Sequence, residues 1–180
     1  IGFGKLTLDL LDDLSLLTLG PQLRGSLNTR IGKVANRAVF EIIQQIVAHA
    51  VTSTTESRLE LMNASGRKVI ITFSADPDIS IFEEISANKL KNVVAIEIKG
   101  GADKSNIWNR LGEAEKSHQS AKKRGFVQFW TIYNIASFNL MKAREKSPTT
   151  DRFYSLMELS SPTTERRWAS SPTAFIPPRR

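Results

Sequence analysis

The sequence predicts an α/β protein, with a central mixed β-sheet of about four to five strands flanked by a helix on each face. Three observations predict it. Apolar residues recur at three-to-four spacing in two long stretches, about 28–50 and about 103–124. Segments rich in Val, Ile, Thr and aromatic residues lie at 58–74, 93–99 and 126–133. The second helical stretch lies between the last two strand segments. A helix in that position makes those strands parallel, with a right-handed crossover.

Residues 6–19 mix Leu, Thr and Asp and read as a short helix that Gly20-Pro21 stops. Asn28 or Thr29 can cap the first long helix, and Ile31, Val34, Ala35, Ala38, Ile42 and Ile46 form its apolar face. Glu41 sits at the border of that face. Arg58–Met62 alternates, Ser65-Gly66 turns, and Arg67–Phe73 returns as the second arm of a hairpin. Pro77 in Ala75-Asp76-Pro77-Asp78-Ile79 marks a strand end, because proline has no N–H for a ladder. Glu83 and Glu84 fall in a loop on this reading.

Val93–Lys99 is the third strand, closed by Gly100-Gly101. Asp103 or Ser105 can cap the second long helix, whose inner face is Ile107, Leu111, Ala114, His118 and Ala121. Gly125 fits the position just past its end, after Lys122-Lys123-Arg124 in the last turn. Phe126–Tyr133 is the fourth strand and Asp151–Leu159 a further helix. His118, His49, Trp108, Phe129 and Trp130 read as core residues.

The chain has 180 residues, enough for one domain with a core. The expected division is a catalytic core over 28–135 and a basic C-terminal extension over 136–180. The chain starts at Ile1, as a piece of a longer protein would. Its 41% hydrophobic content suits a soluble globule, and no run approaches a membrane span or a secretory signal. With no cysteine, disulfides, thiolate nucleophiles and cysteine metal sites are excluded, which fits a reducing cytoplasm. Lys and Arg number 25 against 18 Asp and Glu, and the net charge of +7 favours an anionic partner over a membrane surface.

Alternation puts Val94, Ile96 and Ile98 on one face of their strand and Glu97 and Lys99 on the other, about 6.6 Å apart. Asp78, at the end of a neighbouring strand, can join them. Two carboxylates with the Ile98 carbonyl suit Mg²⁺, which takes oxygen ligands and keeps several waters. A lysine beside them can position and polarise a water. That equipment suits phosphodiester hydrolysis. The competing reading of Glu97 and Lys99 is a surface salt bridge, worth under about 1 kcal/mol. Asp76 is a rival to Asp78, and Glu83 and Glu84 are further rivals.

Pro77-Asp78, a 19-residue step, then Glu97-Ile98-Lys99 resembles the PD-(D/E)XK nuclease superfamily, to which most type II restriction endonucleases belong. The stretch Glu97–Asp103, with Asn106, Asn109-Arg110 and Gly112–Gln119, is similar to restriction enzymes of the XcyI type, which cut CCCGGG. The resemblance implies a restriction-endonuclease-like fold over residues 28–135. It implies that Asp78 and Glu97 hold the metal, that Lys99 is the catalytic lysine, and that Glu41 is an auxiliary acid. It also implies double-stranded DNA as substrate, a prokaryotic cytoplasm, and a homodimer, since a palindromic site is matched by two-fold protein symmetry.

Lys104, Ser105, Asn106, Asn109 and Arg110 cluster at the start of the second long helix, where free amides attract phosphate and Asn or Arg can pair with base edges. Lys116 adds charge along that helix. From Lys142 to the last residue eight basic residues stand against four acidic ones, and Arg166-Arg167-Trp168 suits a clamp on the DNA backbone. The alternatives are another nuclease of the same fold (repair, transposon-end or junction-resolving) and a DNA-binding module that cuts nothing.

Overall fold

The computed structural model describes residues 30–160 apart from 31, 88, 102 and 104. The expected helix at 6–19 and the basic segment with Arg166 and Arg167 lie outside the described residues, as does Lys104. The first helix, α1, runs through residues 32–47 and ends in a 3₁₀ turn, Ala48–Ala50. Seven strands follow in one sheet: β1 Val51–Thr54, β2 Arg58–Met62, β3 Lys68–Phe73, β4 Ile79–Ser86, β5 Lys89–Lys99, β6 Gln128–Tyr133 and β7 Arg152–Ser155. Helix α2, Ile107–Lys123, crosses from β5 to β6. The short helices α3, Leu140–Lys146, and α4, Leu156–Leu159, flank β7.

Spatial order equals chain order. Strands β1 to β5 form an antiparallel meander, and β5, β6 and β7 are parallel. The mixed α/β class and the parallel β5–β6 pair agree with expectation. The sheet is larger than four to five strands for three reasons. β1 is four residues of Val, Thr and Ser at an edge, too short and polar to leave a pattern. β4 contains Glu83 and Glu84, which the sequence put in a loop. Glu83 accepts hydrogen bonds from Asn63 and Arg67 in the β2–β3 turn, so it is stabilised within a strand. β7 replaces the first half of the expected 151–159 helix, leaving one helical turn after it. The sheet therefore runs on beyond residue 135.

Alternation along β5 divides the interior. Val94, Ile96 and Ile98 join Trp130, Ile132, Leu59, Ile71 and Ile79 under α1. Ala95 and Phe129 face the other way, against Ala121 and Phe126. The buried stripe of α1 is Ala35, Val39, Phe40, Ile43 and Val47, one residue on from the expected stripe, a rotation of about 100°. Val34 is consequently 70% exposed. Both stripes are apolar, and the one carrying Phe40 buries more surface. On α2 the expected inner face is fully buried, His118 included, whereas His49 is exposed. Gly125 has φ 91° and its N–H bonds the Lys122 carbonyl, as a glycine past a helix end does.

Phe40 is 1% exposed and its ring centroid lies 4.3 Å from that of Phe73. Phe40→Ala is expected to destabilise the fold by about 3–5 kcal/mol, measured as a lowered urea midpoint at unchanged slope.

Candidate active site

The antiparallel register of β4 on β5 sets Ile79 opposite Ile96, which brings the residue before β4, Asp78, beside Glu97. Asp78 Oδ2 accepts the Ile98 backbone N–H at 2.7 Å, and Oδ1 accepts from Asn36 Nδ2 at 3.0 Å. On the α2 side of β5, Glu97 Oε2 accepts from Lys99 Nζ at 2.8 Å. This is not a solvated edge pair: the Glu97 and Lys99 side chains are 7% and 14% exposed. Glu97 Oε1 accepts from Ser117 Oγ at 2.6 Å. The four oxygens of the two carboxylates thus have four separate donors, drawn from α1, β5 and α2.

The electrostatics are those of two acids pressed together. Burial pushes the Asp78 carboxyl above its ordinary value, and the charge of Glu97 pushes it further the same way. The Ile98 N–H, the Lys99 ammonium and Asn36 counter part of this. Among the described residues, no three His, Cys, Asp or Glu side chains cluster as a complete metal cage. Two close carboxylates are instead the small, hard-oxygen donor set of a Mg²⁺ site that relies on water and substrate for the rest.

The turn before β4 holds Asp78 in place. Asp76–Pro77 is a cis peptide. The Ser74 hydroxyl donates to the Pro77 carbonyl, and Ser74 N–H donates to the Asp78 carbonyl at 3.1 Å. From the end of α2, Arg124 Nη1 donates to the Asp76 carbonyl at 2.9 Å. The Ser117 hydroxyl also contacts Asp76 Oδ1. Asp76, the rival to Asp78, therefore borders the site through Ser117.

Other sequence-derived candidates are spread more widely. Glu41 is half exposed and paired with Arg37. Asn36, five residues earlier and about 140° round α1, is the helix residue that reaches Asp78. Ser105 N–H and Oγ both donate to Asp103 Oδ1, forming the turn into α2. Asn109 Nδ2 bonds Asn106 Oδ1 at 3.2 Å. The Arg110 guanidinium lies over Gly101, where a Cβ would come within 2.0 Å of Nη1. Arg110 thus sits at the exit of β5, just past Lys99. Lys116 is exposed on α2. Sequence reasoning missed Asn36 and Ser117. Neither residue type signals a site, and only the packing of α1 and α2 on the sheet brings them to it.

Behind the site lies a buried polar cluster. Glu115 accepts from Thr149 N–H at 2.9 Å, Thr149 Oγ1 at 2.6 Å, Ser147 Oγ at 3.1 Å and Gln119 Nε2 at 2.8 Å. Burial alone raises the Glu115 carboxyl, but those donors together hold it below its ordinary value. His118 Nδ1 pairs with Thr150 Oγ1 at 3.0 Å, and burial lowers the imidazole below its ordinary value. The cluster fastens the 147–150 turn, and β7 after it, onto α2.

The family model for the XcyI restriction endonuclease matches residues 1–168. The chain is 53% identical over 160 residues to the type II restriction enzyme XcyI of Xanthomonas campestris pv. cyanopsidis. It is 51% identical over 160 residues to the type II restriction enzyme Cfr9I of Citrobacter freundii. Each alignment covers 89% of this chain and 48% of the relative, so the chain spans about half the length of the curated relatives it matches. No solved structure matches.

The raised Asp78 carboxyl has a consequence for stability. Its folded pKa lies above the ordinary 3.8, so the ionised side chain opposes folding. That opposition is fully present above the folded value and absent below 3.8. Asp78→Asn keeps an acceptor for Ile98 N–H, and the Asn36 amide can flip to meet the new donor. The variant is expected to melt higher than the parent at pH 7, with the gap shrinking as pH falls through the folded value. Thermal scans across pH check this; a lower midpoint at pH 7 would contradict it.

Proposed function

The chain belongs to the XcyI restriction endonuclease family, and from that premise we propose that it is the nuclease domain of a type II restriction endonuclease that hydrolyses double-stranded DNA at a short specific site. The observation that carries the reading is the meeting of Asp78, Glu97 and Lys99 at the β4–β5 junction. In the other ion pairs among the described residues, such as Arg58 and Lys68 on Glu60, the base is well exposed and a single acid is involved. Here two acids and one lysine are held together with little solvent, and burial with the charge of Glu97 raises the Asp78 carboxyl.

Asp78 and Glu97, with the Ile98 carbonyl, would hold a divalent cation, Mg²⁺ on our reading. When bound, that ion supplies Lewis acidity and neutralises charge developing on the phosphate. The chain's own groups do the rest. Lys99 is held by Glu97 with its ammonium at the carboxylate pair, where it orients the attacking water and offsets negative charge in the transition state. Asn36 and the Ile98 N–H fix both oxygens of Asp78. On this reading Asn36, bonded to Asp78, takes the supporting place on α1 that the resemblance implies for Glu41.

Arg110 and Asn109 lie on the first turn of α2, past the end of β5. The Asn106 cap has no side-chain hydrogen bond to the helix N-terminus, which leaves amide donors for a phosphate. With Ser105 and exposed Lys116 they form our candidate DNA surface. Lys104, Arg166 and Arg167 extend the same proposal by charge alone. Homodimer formation follows from a palindromic target, and CCCGGG, implied by the sequence resemblance, is the site to test first.

The test is plasmid digestion with Mg²⁺, with the ends mapped for position and for 5′-phosphate and 3′-hydroxyl chemistry. Lys99→Ala is expected to lose at least about 10²-fold in cleavage rate while retaining DNA binding in a gel shift with Ca²⁺. Cleavage by Lys99→Ala at the parent rate would remove the lysine from the mechanism.

A further inference from the structure

We propose that Ser117 is a positioning residue of this active site: its hydroxyl sets the Glu97 carboxylate and ties the turn carrying Asp78 to helix α2. The proposal rests on the reading of Asp78, Glu97 and Lys99 as a nuclease centre. It deepens that reading by assigning a role to a residue outside the acid–acid–lysine set.

The argument begins with the partners of Glu97. Lys99 Nζ engages Oε2 at 2.8 Å, and Ser117 Oγ engages Oε1 at 2.6 Å. A carboxylate with a donor on one oxygen alone can turn about its last torsion, because that torsion is broad. A donor on each oxygen fixes its plane. If Ser117 were absent, the freed Oε1 could draw the Lys99 ammonium into a two-oxygen grip, away from the water it must orient. Asn36 and the Ile98 N–H give Asp78 the same two-point support.

The second half of the argument is the other contact. The Ser117 hydroxyl also meets Asp76 Oδ1, two residues before Asp78. A hydroxyl has one hydrogen to give, so it serves the two carboxylates in turn. The same Asp76 carbonyl is held by Arg124 from the end of α2. Helix α2 thereby grips the 74–78 turn at two places seven residues apart, Ser117 in mid-helix and Arg124 at the cap. Ser117 belongs to no apolar cluster and is only partly buried. Its side-chain hydrogen bonds among the described residues go to these two carboxylates, as those of a residue that serves the site would.

The experiment compares Ser117→Ala and Ser117→Thr with the parent in the intact protein. Alanine favours helix, so the fold is expected to persist, with an unchanged thermal midpoint. Ser117→Ala is expected to lower kcat by about 10–100-fold at unchanged KM for duplex DNA. It is also expected to weaken Mn²⁺ binding to the DNA-free protein, read by calorimetric titration, by about 10-fold or more. Ser117→Thr keeps the hydroxyl and should recover most of both. Parent-like kcat and Mn²⁺ affinity in Ser117→Ala would overturn the proposal. So would equal losses in the Ala and Thr variants. If the parent binds Mn²⁺ yet cuts no DNA, the nuclease reading fails, while the Ala-against-Thr difference in Mn²⁺ affinity still supports the positioning role.

Discussion

One hydrogen bond organises this molecule: the Ile98 N–H donated to the Asp78 carboxylate. The β4–β5 register pairs Ile79 with Ile96. Continued by two residues, it would set Pro77 opposite Ile98. Proline has no N–H to offer, and the Pro77 carbonyl is already taken by Ser74. The ladder therefore stops, and a peptide N–H at the end of a central strand is left without a strand partner. A buried orphan donor is costly, and the carboxylate of the next residue supplies the acceptor. Proline followed by aspartate is thus a structural device: the first residue ends the ladder and the second caps it with a charge.

That charge is placed where it is least comfortable. Asp78 is half-buried beside Glu97, which is itself 7% exposed. The one ammonium in contact, Lys99, bonds Glu97 rather than Asp78. Buried ion pairs rarely stabilise a fold over an apolar alternative, because desolvation offsets most of the attraction. Stability comes instead from the two apolar layers, α1 over Val94, Ile96 and Ile98 on one face and Ala95 with Phe129 under α2 on the other. The sheet's long meander makes those layers large enough to carry an unfavourable site at their edge.

Much of this was legible in the sequence where one local rule decided the outcome. The inner face of α2, from Ile107 to Ala121, follows the helical period because both neighbours of that face are apolar. Gly125 is readable because a left-handed residue after Lys122-Lys123-Arg124 favours glycine. The convergence of Asp78, Glu97 and Lys99 is readable because strand alternation and proline each leave a mark. Reading failed where tertiary contacts override local pattern. Glu83 and Glu84 disguise β4, whose polar residues find partners only in the folded β2–β3 turn. The stripe of α1 is ambiguous by one residue because both candidate stripes are apolar. In the observed setting of α1, Glu41 is half exposed on Arg37 and Asn36 reaches Asp78. β7 resembles a helix locally and becomes a strand because β6 offers an open edge.

On the proposed reading, helix α2 joins the candidate DNA surface to the acid pair within one element. Consecutive residues on a helix point about 100° apart. Lys116 faces solvent, Ser117 faces the carboxylates, and His118 enters the core against Thr150. The start of the helix carries Arg110 over Gly101, at the exit of the strand that bears Lys99. Its end grips the turn that bears Asp78 through Arg124. A rigid rod that bonds Glu97 and the turn carrying Asp78, and whose first turn belongs to the candidate DNA surface, cannot move on one side alone. On the proposed reading, a shift of α2 on engaging DNA would reach Glu97 through Ser117 and the Asp76–Asp78 turn through Ser117 and Arg124 together. The buried Glu115 cluster fixes the opposite face of the same rod to the 147–150 turn, so the helix has a firm seat from which to act.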